Sequence, residues 1–482
     1  MTTQMIGLET EYGIMAAADP SITPMLASAL LVWAYRDSGV PWAAWDYSAE
    51  DPLADARGFH LQRAAADRSM LTDHAPIVPA PSRPTATPGQ GGPTAIVIAN
   101  GARLYVDHAH PEYSGPECST ALEAALWDAA GDRIVQNAAE TLAATGGPHL
   151  DLYKNNTDGK GAAYGCHENY LVPRTIPFSK IVDFLTPFLV TRQIITGSGR
   201  VGLGPKSEKP GFQLSQRADF VETEIGLETT LRRPIINTRD EPHSDPNQWR
   251  RLHVIVGDAT VLPIATYLRV GITSLVLEAL IQGGDLGDHL RLAAPVDAFH
   301  QVSRDLTLQQ SLPMADGSRR SALSIQHEYC ALVSQIVGSN DLLERWSTLL
   351  DQLIEDPANA ARQIEWLAKY QLLDGLRQRA GCDWSNPRLQ AADLQWAALD
   401  PARSLAARLI AAGRVEPLFT DEQVTAAMMQ PPQTTRAGRR GRAVAEGTAI
   451  SAGWDRLVLR SGQVVPLTEL LASDYCVANR PI

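Results

Sequence analysis

Arg103-Leu104-Tyr105-Val106-Asp107-His108-Ala109-His110-Pro111-Glu112 is the stretch from which the rest of the chain can be read. Residues 103–107 have the alternation of a strand: Arg103, Tyr105 and Asp107 fall on one face, Leu104 and Val106 on the other. One face therefore carries a guanidinium, a phenol and a carboxylate in a row. Pro111 is expected to end the regular pairing, with Glu112 following in a turn.

A second stretch, Gly7-Leu8-Glu9-Thr10-Glu11-Tyr12-Gly13, has the same design. Glu9 and Glu11 share a face, and Ile6, Leu8, Thr10 and Tyr12 share the other. Carboxylates on a half-buried strand need a counter-charge. If the two polar faces meet, their oxygens converge as a magnesium site of the kind that holds a phosphate chain. Periodicity alone allows a second reading, two amphipathic strands with solvated polar faces.

The chain has 482 residues, is 44% hydrophobic and carries a net charge of -12. Its length permits one large domain and a small one. Its acidity argues against a general nucleic-acid binder. Five scattered cysteines, with no CxxC pair, point to reduced thiols and a cytoplasmic protein. Cys166, beside His167, reads as a small buried residue rather than a nucleophile. No basic segment followed by an apolar one opens the sequence, and the most apolar run, Met25 to Tyr35, is too short to span a bilayer. No nucleic-acid or membrane partner is expected.

Along the chain, the pattern predicts a strand over 3–13, a buried helix over 23–37, a strand over 96–107 and a helix over about 118–145. His149 to Lys154 and Ala162 to Val172 read as a hairpin around the turn-rich Asn155 to Gly161, with His167 and Asn169 on one face. Phe178 to Thr196 reads as a helix bent at Pro187. Further strands are expected near Phe212 to Arg217, Thr229 to Asn237 and Leu252 to Val256. Val261 to Gly413 is mostly helical, Arg436 to Arg442 reads as a mobile basic connector, and the last forty or so residues as a small β-rich domain. The segment 38–94 interrupts this order with Pro- and Gly-rich sequence from Pro79 to Pro93, and its place before the key strand suggests a lid or a regulator of the site. Arg239 and His243, in the polar run 237–243, are candidates for phosphate and carboxylate contacts. Trp454 suits either a core position or stacking on a purine.

Three motifs in order, Glu9-Thr10-Glu11-Tyr12-Gly13, Arg103 to Glu112, and Gly165-Cys166-His167-Glu168-Asn169-Tyr170, resemble the Pup ligase and Pup deamidase family, carboxylate-amine ligases related to glutamine synthetase. The resemblance runs over nearly the whole chain. It implies an α+β fold: a glutamine synthetase-like domain over 1–415, a curved antiparallel sheet cradle backed by helices, and a small C-terminal domain over 416–482. It implies ATP, or ADP with phosphate, as cofactor on Mg2+, with Glu9, Tyr105 and Glu112 as metal ligands and Glu11 and His167 at a second metal position. It places Arg103 against the nucleotide, Trp454 near its adenine, and Gly115 where the family often has threonine, so that only a backbone contact survives. Asp107 matches the family's essential aspartate, a general base or nucleophile.

The family has two activities: ligation of Pup to lysine through a γ-glutamyl phosphate, and hydrolysis, which deamidates the C-terminal glutamine of Pup and cleaves the Pup–lysine isopeptide bond. The 38–94 insertion and the form Asp107-His108-Ala109-His110-Pro111-Glu112 resemble the hydrolase version. Pup and pupylated proteins are thus the expected partners of a monomeric enzyme. Pup itself, small, acidic and disordered, needs a partly basic groove, for which Arg200, Lys206, Lys209 and Arg217 are candidates.

Overall fold

The key stretch folds as a hairpin. The computed structural model describes residues 5–76, 78 and 91–468; most of the Pro- and Gly-rich run from Pro79 to Pro93, residues 79–90, lies outside them. Arg103–Asp107 is a strand as expected, but Pro111 does not end the pairing. The chain turns at His108 and Ala109 and returns as His110–Ser114, with Val106 opposite Pro111 and Tyr105 opposite Glu112. His108 takes the positive φ, 51°, that a two-residue hairpin turn asks for. Proline is tolerated because Val106 sends its N–H the other way, to the Thr94 carbonyl at 2.9 Å.

The strand expected over 96–107 is likewise two antiparallel strands, Ala95–Ile98 and Arg103–Asp107. Gly101 makes the turn between them at φ 84°, where a Cβ would sit 2.9 Å from the Ala437 carbonyl. These strands belong to a ten-stranded sheet. Its order is Trp249–Val254, Cys166–Pro173, Ile6–Glu11, His110–Ser114, Arg103–Asp107, Ala95–Ile98, Trp42–Trp45, Ala449–Ala452, Arg456–Leu459 and Val464–Pro466. Every neighbouring pair is antiparallel except Trp42–Trp45 with Ala449–Ala452. Among the described residues, 416–468 thus contribute three strands to the sheet that carries the key hairpin.

The hairpin expected between His149 to Lys154 and Ala162 to Val172 does not form. Asp151–Tyr153 pairs with Gly13–Met15, and Cys166–Pro173 lies between Ile6–Glu11 and Trp249–Val254. The helix from Phe178 continues through Pro187 to Thr191, and a short second helix runs Gln193–Thr196. Lys209–Gln213 pairs with Arg200–Leu203, and Arg233–Asn237 runs parallel to Val221–Gly226.

One face of the sheet is apolar. Ile6, Leu8, Tyr170, Val172, Leu252 and Val254 pack with the helices Phe178–Thr191 and Pro263–Ile281. Leu104 and Val106 pack with Pro24–Asp37 and Ala121–Ala144. Pro263–Ile281 is the one helix among the described residues long and apolar enough to cross a membrane, and 83% of that window is buried inside the fold. Cys118, Cys166 and Cys330 are buried free thiols, and burial pushes the Cys166 thiol up, which suits a packing residue.

The run Arg436 to Arg442 is not a mobile connector. Ala437–Ala445 is a helix, and Arg436 and Arg440 are buried against Glu117. Arg436 Nε donates to Glu117 Oε1 at 2.7 Å, and Arg440 Nη1 to the same oxygen at 3.1 Å. Arg440 also donates to the carbonyls of Gly101 and Trp454. The glycines and arginines that suggested mobility are there for close packing and for this ion cluster. Burial opposes ionisation of Glu117, but the two guanidinium groups outweigh it and bring its pKa down to about 2. A lowered carboxyl pKa stabilises the fold above the unfolded value and loses that contribution as pH falls through the folded one. Acid titration of stability should therefore steepen between about pH 4.5 and about 2, by roughly 3 kcal/mol for this group. Glu117→Gln, which leaves two buried cations unpaired, should cost about 3–5 kcal/mol in urea denaturation at pH 7 and flatten that acid limb.

Candidate active site

The other face of the sheet is a comb of polar side chains, because five adjacent strands alternate in the same phase. In order across the sheet it presents Arg251 and His253, then His167 and Asn169, then Glu9 and Glu11, then Glu112 and Ser114, then Arg103, Tyr105 and Asp107. With the exception of Asn169, all of these line a cavity of about 590 Å³. Arg239, His243 and Trp454 line it as well, so that all of the candidate metal, nucleotide and catalytic residues except Gly115 meet there. Gly115 lines a smaller adjoining cavity with Glu9, His243 and Trp454, and its amide donates to the Leu8 carbonyl at 2.8 Å.

Three donor sets form inside the cavity. Glu9, His167 and His253 bring one ligand atom each within 4.8 Å of one another, and so do Glu11, Asp107 and Glu112. The third set, Glu50, Glu241 and His243, stands where Arg239 and Arg251 already neutralise Glu241. In the first set, Glu9 is fixed by His167 Nδ1 at 3.0 Å and Asn169 Nδ2 at 3.0 Å. Burial works against the Glu9 carboxylate, but the His167 hydrogen bond and the charges of His253, His167 and Arg251 hold its pKa far below the usual range. Burial and the Arg251 charge in turn push His253 well down, which keeps a ring nitrogen free to ligate.

In the second set, Gly165 N donates to Glu11 Oε1 at 2.8 Å, and His110 Nδ1 lies 3.4 Å from Glu11 Oε2. Burial again opposes the charge, but His110, His167 and His108 bring Glu11 down to about 2. Glu112 goes the other way: burial, then the charges of Asp107, Glu11 and Glu9, push its pKa well up. Converging buried carboxylates that repel one another are what a hard divalent cation relieves, and carboxylate with imidazole is a donor set such a cation accepts. The residues present therefore fit Mg2+.

Arg103 closes the far end. Its guanidinium carbon lies 3.8 Å from the Tyr105 ring centroid, 4.3 Å from Trp45 and 5.4 Å from Tyr47, with Glu50 at 3.5 Å. Trp454 meets Trp45 edge-on at 5.0 Å, so an aromatic and cationic corner stands beside the carboxylates. Trp454 is half-buried and faces the cavity, the arrangement that leaves a ring free to stack.

Asp107 ends its strand at the cavity wall, with its side chain 21% exposed. His108 Nδ1 meets Asp107 Oδ2 at 2.9 Å, and His108 Nε2 meets the Ser69 carbonyl at 3.1 Å. Both partners only accept, so both ring nitrogens donate. The hydrogen bond and charge of Asp107 raise His108 to about 9.

Sequence reasoning missed His253, Arg251, Glu50 and Glu241. Arg251 and His253 carried the same alternating signal within Trp249–Val254 as the other strands. Glu50 comes from the insertion, and Glu241 is fixed by the Asp51 amide at 2.6 Å, 190 residues away in sequence, and by Arg251 at 3.0 Å. The basic segment 200–217 divides: Arg217 is buried and lines the main cavity, whereas Arg200 and Lys206 line a separate one of about 450 Å³ and Lys209 is exposed.

A protein-family profile described as Pup-ligase protein matches residues 4–458. A Pup deamidase/depupylase of Mycobacterium tuberculosis is 47% identical over 477 residues, 95% of this chain and 91% of the relative. A depupylase of Acidothermus cellulolyticus is 47% identical over 94% of this chain and 90% of its own length. A Pup–protein ligase of Actinosynnema mirum is 40% identical over 77% of this chain and 85% of its own. Among solved structures, a Pup ligase in complex with Pup has a TM-score of 0.78 at 30% identity, covering 99% of this chain and 92% of that one. A Pup ligase in complex with ADP has a TM-score of 0.71 at 34% identity, covering 81% and 90%.

Proposed function

Since the chain belongs to the Pup-ligase protein family, we propose that it is a hydrolase of that family, deamidating the C-terminal glutamine of Pup to glutamate and cleaving the Pup–lysine isopeptide bond. The observation that carries this reading is the insertion. In a chain that depupylases match almost end to end, Glu50, Arg68, Ser69 and His74 of the segment 38–94 form part of the cavity wall. Asp55 pins that segment to the body through Thr238 Oγ1, at 2.7 Å.

The site is read as binding ATP, or ADP with phosphate, and Mg2+; the relative solved with ADP supports the nucleotide, and the first two donor sets support the metal. Glu9, Tyr105 and Glu112, with Glu11 and His167, would hold the cations; the geometry groups Glu9 with His167 and His253, and Glu11 with Asp107 and Glu112. Arg103, Trp454, Arg239 and His243 would contact the nucleotide, with the Gly115 backbone beside them. Bound Mg2+ supplies positive charge against the carboxylates and against the charge that develops on an amide oxygen under attack. Asp107 is the carboxylate that acts on the scissile amide, as base toward water or as nucleophile. Glu9 is held by His167 and Asn169, and Glu11 by Gly165, so the donors stay in place without rearrangement during the reaction. Pup and pupylated proteins are the proposed partners of a monomer acting in the cytoplasm.

The test is mass spectrometry of glutamine-ended Pup incubated with the protein, Mg2+ and ATP. Conversion of the terminal amide to the acid, abolished by EDTA and restored by Mg2+, is the expected outcome. Conjugates formed on lysine from glutamate-ended Pup, with no change to glutamine-ended Pup, would make the protein a ligase and overturn the reading of the insertion.

A further inference from the structure

The hairpin turn holds a side chain to which the mechanism above gives no task. His108 stands between the strand that ends in Asp107 and the return strand. Its ring bridges two parts of the chain, Asp107 Oδ2 at 2.9 Å and the Ser69 carbonyl at 3.1 Å, 39 residues away in sequence. Its φ of 51° turns it out of the sheet and makes that reach possible.

The far anchor is itself fixed. Ser69 belongs to the single turn Arg68–Met70, capped by Asp67, whose Oδ1 accepts from Ser69 N at 2.8 Å and Ser69 Oγ at 2.6 Å. Met70 is buried with Leu53 and Leu227, which ties that turn to the body of the protein. Arg63 and Asp73, paired at 2.6 Å, close the segment around it. A side chain held at one end only would leave the Asp107 carboxylate free to rotate about its own bonds. Held at both ends, His108 fixes which oxygen of Asp107 is engaged and leaves the other toward the cavity.

We propose that His108 is a positioning residue for the reaction, a two-ended tether through which the 63–73 part of the insertion orients the Asp107 carboxylate. This rests on the hydrolase reading of the site. It gives the insertion a mechanical task, since without Ser69 the histidine has no fixed point to work from. Misplacement of a reacting group by about an ångström costs on the order of 10²-fold in rate, and loss of the tether belongs in that range.

The experiment compares His108→Ala, Asp67→Ala and the double variant with wild type on glutamine-ended Pup, with melting temperature measured beside kinetics. His108→Ala should lower kcat by about 10- to 100-fold with KM for Pup little changed. Asp67→Ala, which loosens the Ser69 turn, should lower kcat in the same sense but less, and the double variant should be no slower than His108→Ala alone. His108→Asn accepts the positive φ and keeps one donor toward Asp107, so it should recover part of the loss. Amide hydrogen exchange gives a readout without activity: His108→Ala should speed exchange at Met70 and Leu71. Additive effects in the double variant, an unchanged kcat, or a loss confined to KM would overturn the tether. If wild type leaves glutamine-ended Pup untouched, the hydrolase reading fails; unchanged exchange at 63–73 in His108→Ala would then sink the tether on its own.

Discussion

Asp107→Asn should abolish deamidation of glutamine-ended Pup, lowering kcat by at least about 10³-fold while KM and melting temperature hold. Asparagine has the same shape, and its carbonyl oxygen still accepts from His108 Nδ1, so the turn and the hairpin register survive. What is lost is the negative charge, and with it both the capacity to take a proton and the capacity to attack as a carboxylate. Isopeptide cleavage should fall by the same factor, because a single carboxylate serves both amide bonds. Nucleotide binding should persist, since Arg103 and Trp454 at the aromatic corner are untouched. A variant within tenfold of wild type would mean that another group attacks the amide.

The alternation of three strands made much of this polar face legible, though Glu112 reads as a turn residue and Arg251 and His253 escape the reading. Glu9 with Glu11 and Arg103 with Tyr105 and Asp107 were placed on single faces from period two alone, and they do line one cavity. What alternation could not supply is which strands are neighbours. Ala162 to Val172 reads as the return of a local hairpin, whereas the strand that forms, Cys166–Pro173, has partners about 160 and 80 residues away, brought together by burial of Ile6, Tyr170 and Leu252 on the shared apolar face. Pro111 misled for a related reason. Whether a proline ends a strand depends on which neighbour asks for its nitrogen, and that is decided by Thr94 and Tyr12, far from it in sequence. Arg436 to Arg442 looked like a solvated connector because charge and glycine usually mean exposure; only the position of Glu117 turns those arginines inward.

Gly165→Ala should cost activity as heavily as loss of a ligand, on the order of 10²-fold or more in kcat/KM, yet leave the fold largely standing. A Cβ at this position would lie 2.4 Å from Glu11 Oε1 and 2.5 Å from His167 Nε2. Both are far ends of side chains that can swing aside, so the strain is relieved locally rather than through the backbone, and melting should shift little. The groups that move are His167 of the set with Glu9 and His253 and Glu11 of the set with Asp107 and Glu112, and Glu11 would lose its hydrogen bond from the Gly165 amide, 2.8 Å in the native chain. Weaker Mg2+ binding should therefore accompany the loss: the Mg2+ concentration for half-maximal activity rises, and excess Mg2+ restores part of kcat. In Asp107→Asn the same excess should restore nothing. Parallel Mg2+ titrations of the two variants thus separate a carboxylate that acts on the substrate from a glycine that makes room for the metal ligands. Full activity in Gly165→Ala at ordinary Mg2+ would place the ligands away from Glu11 and His167.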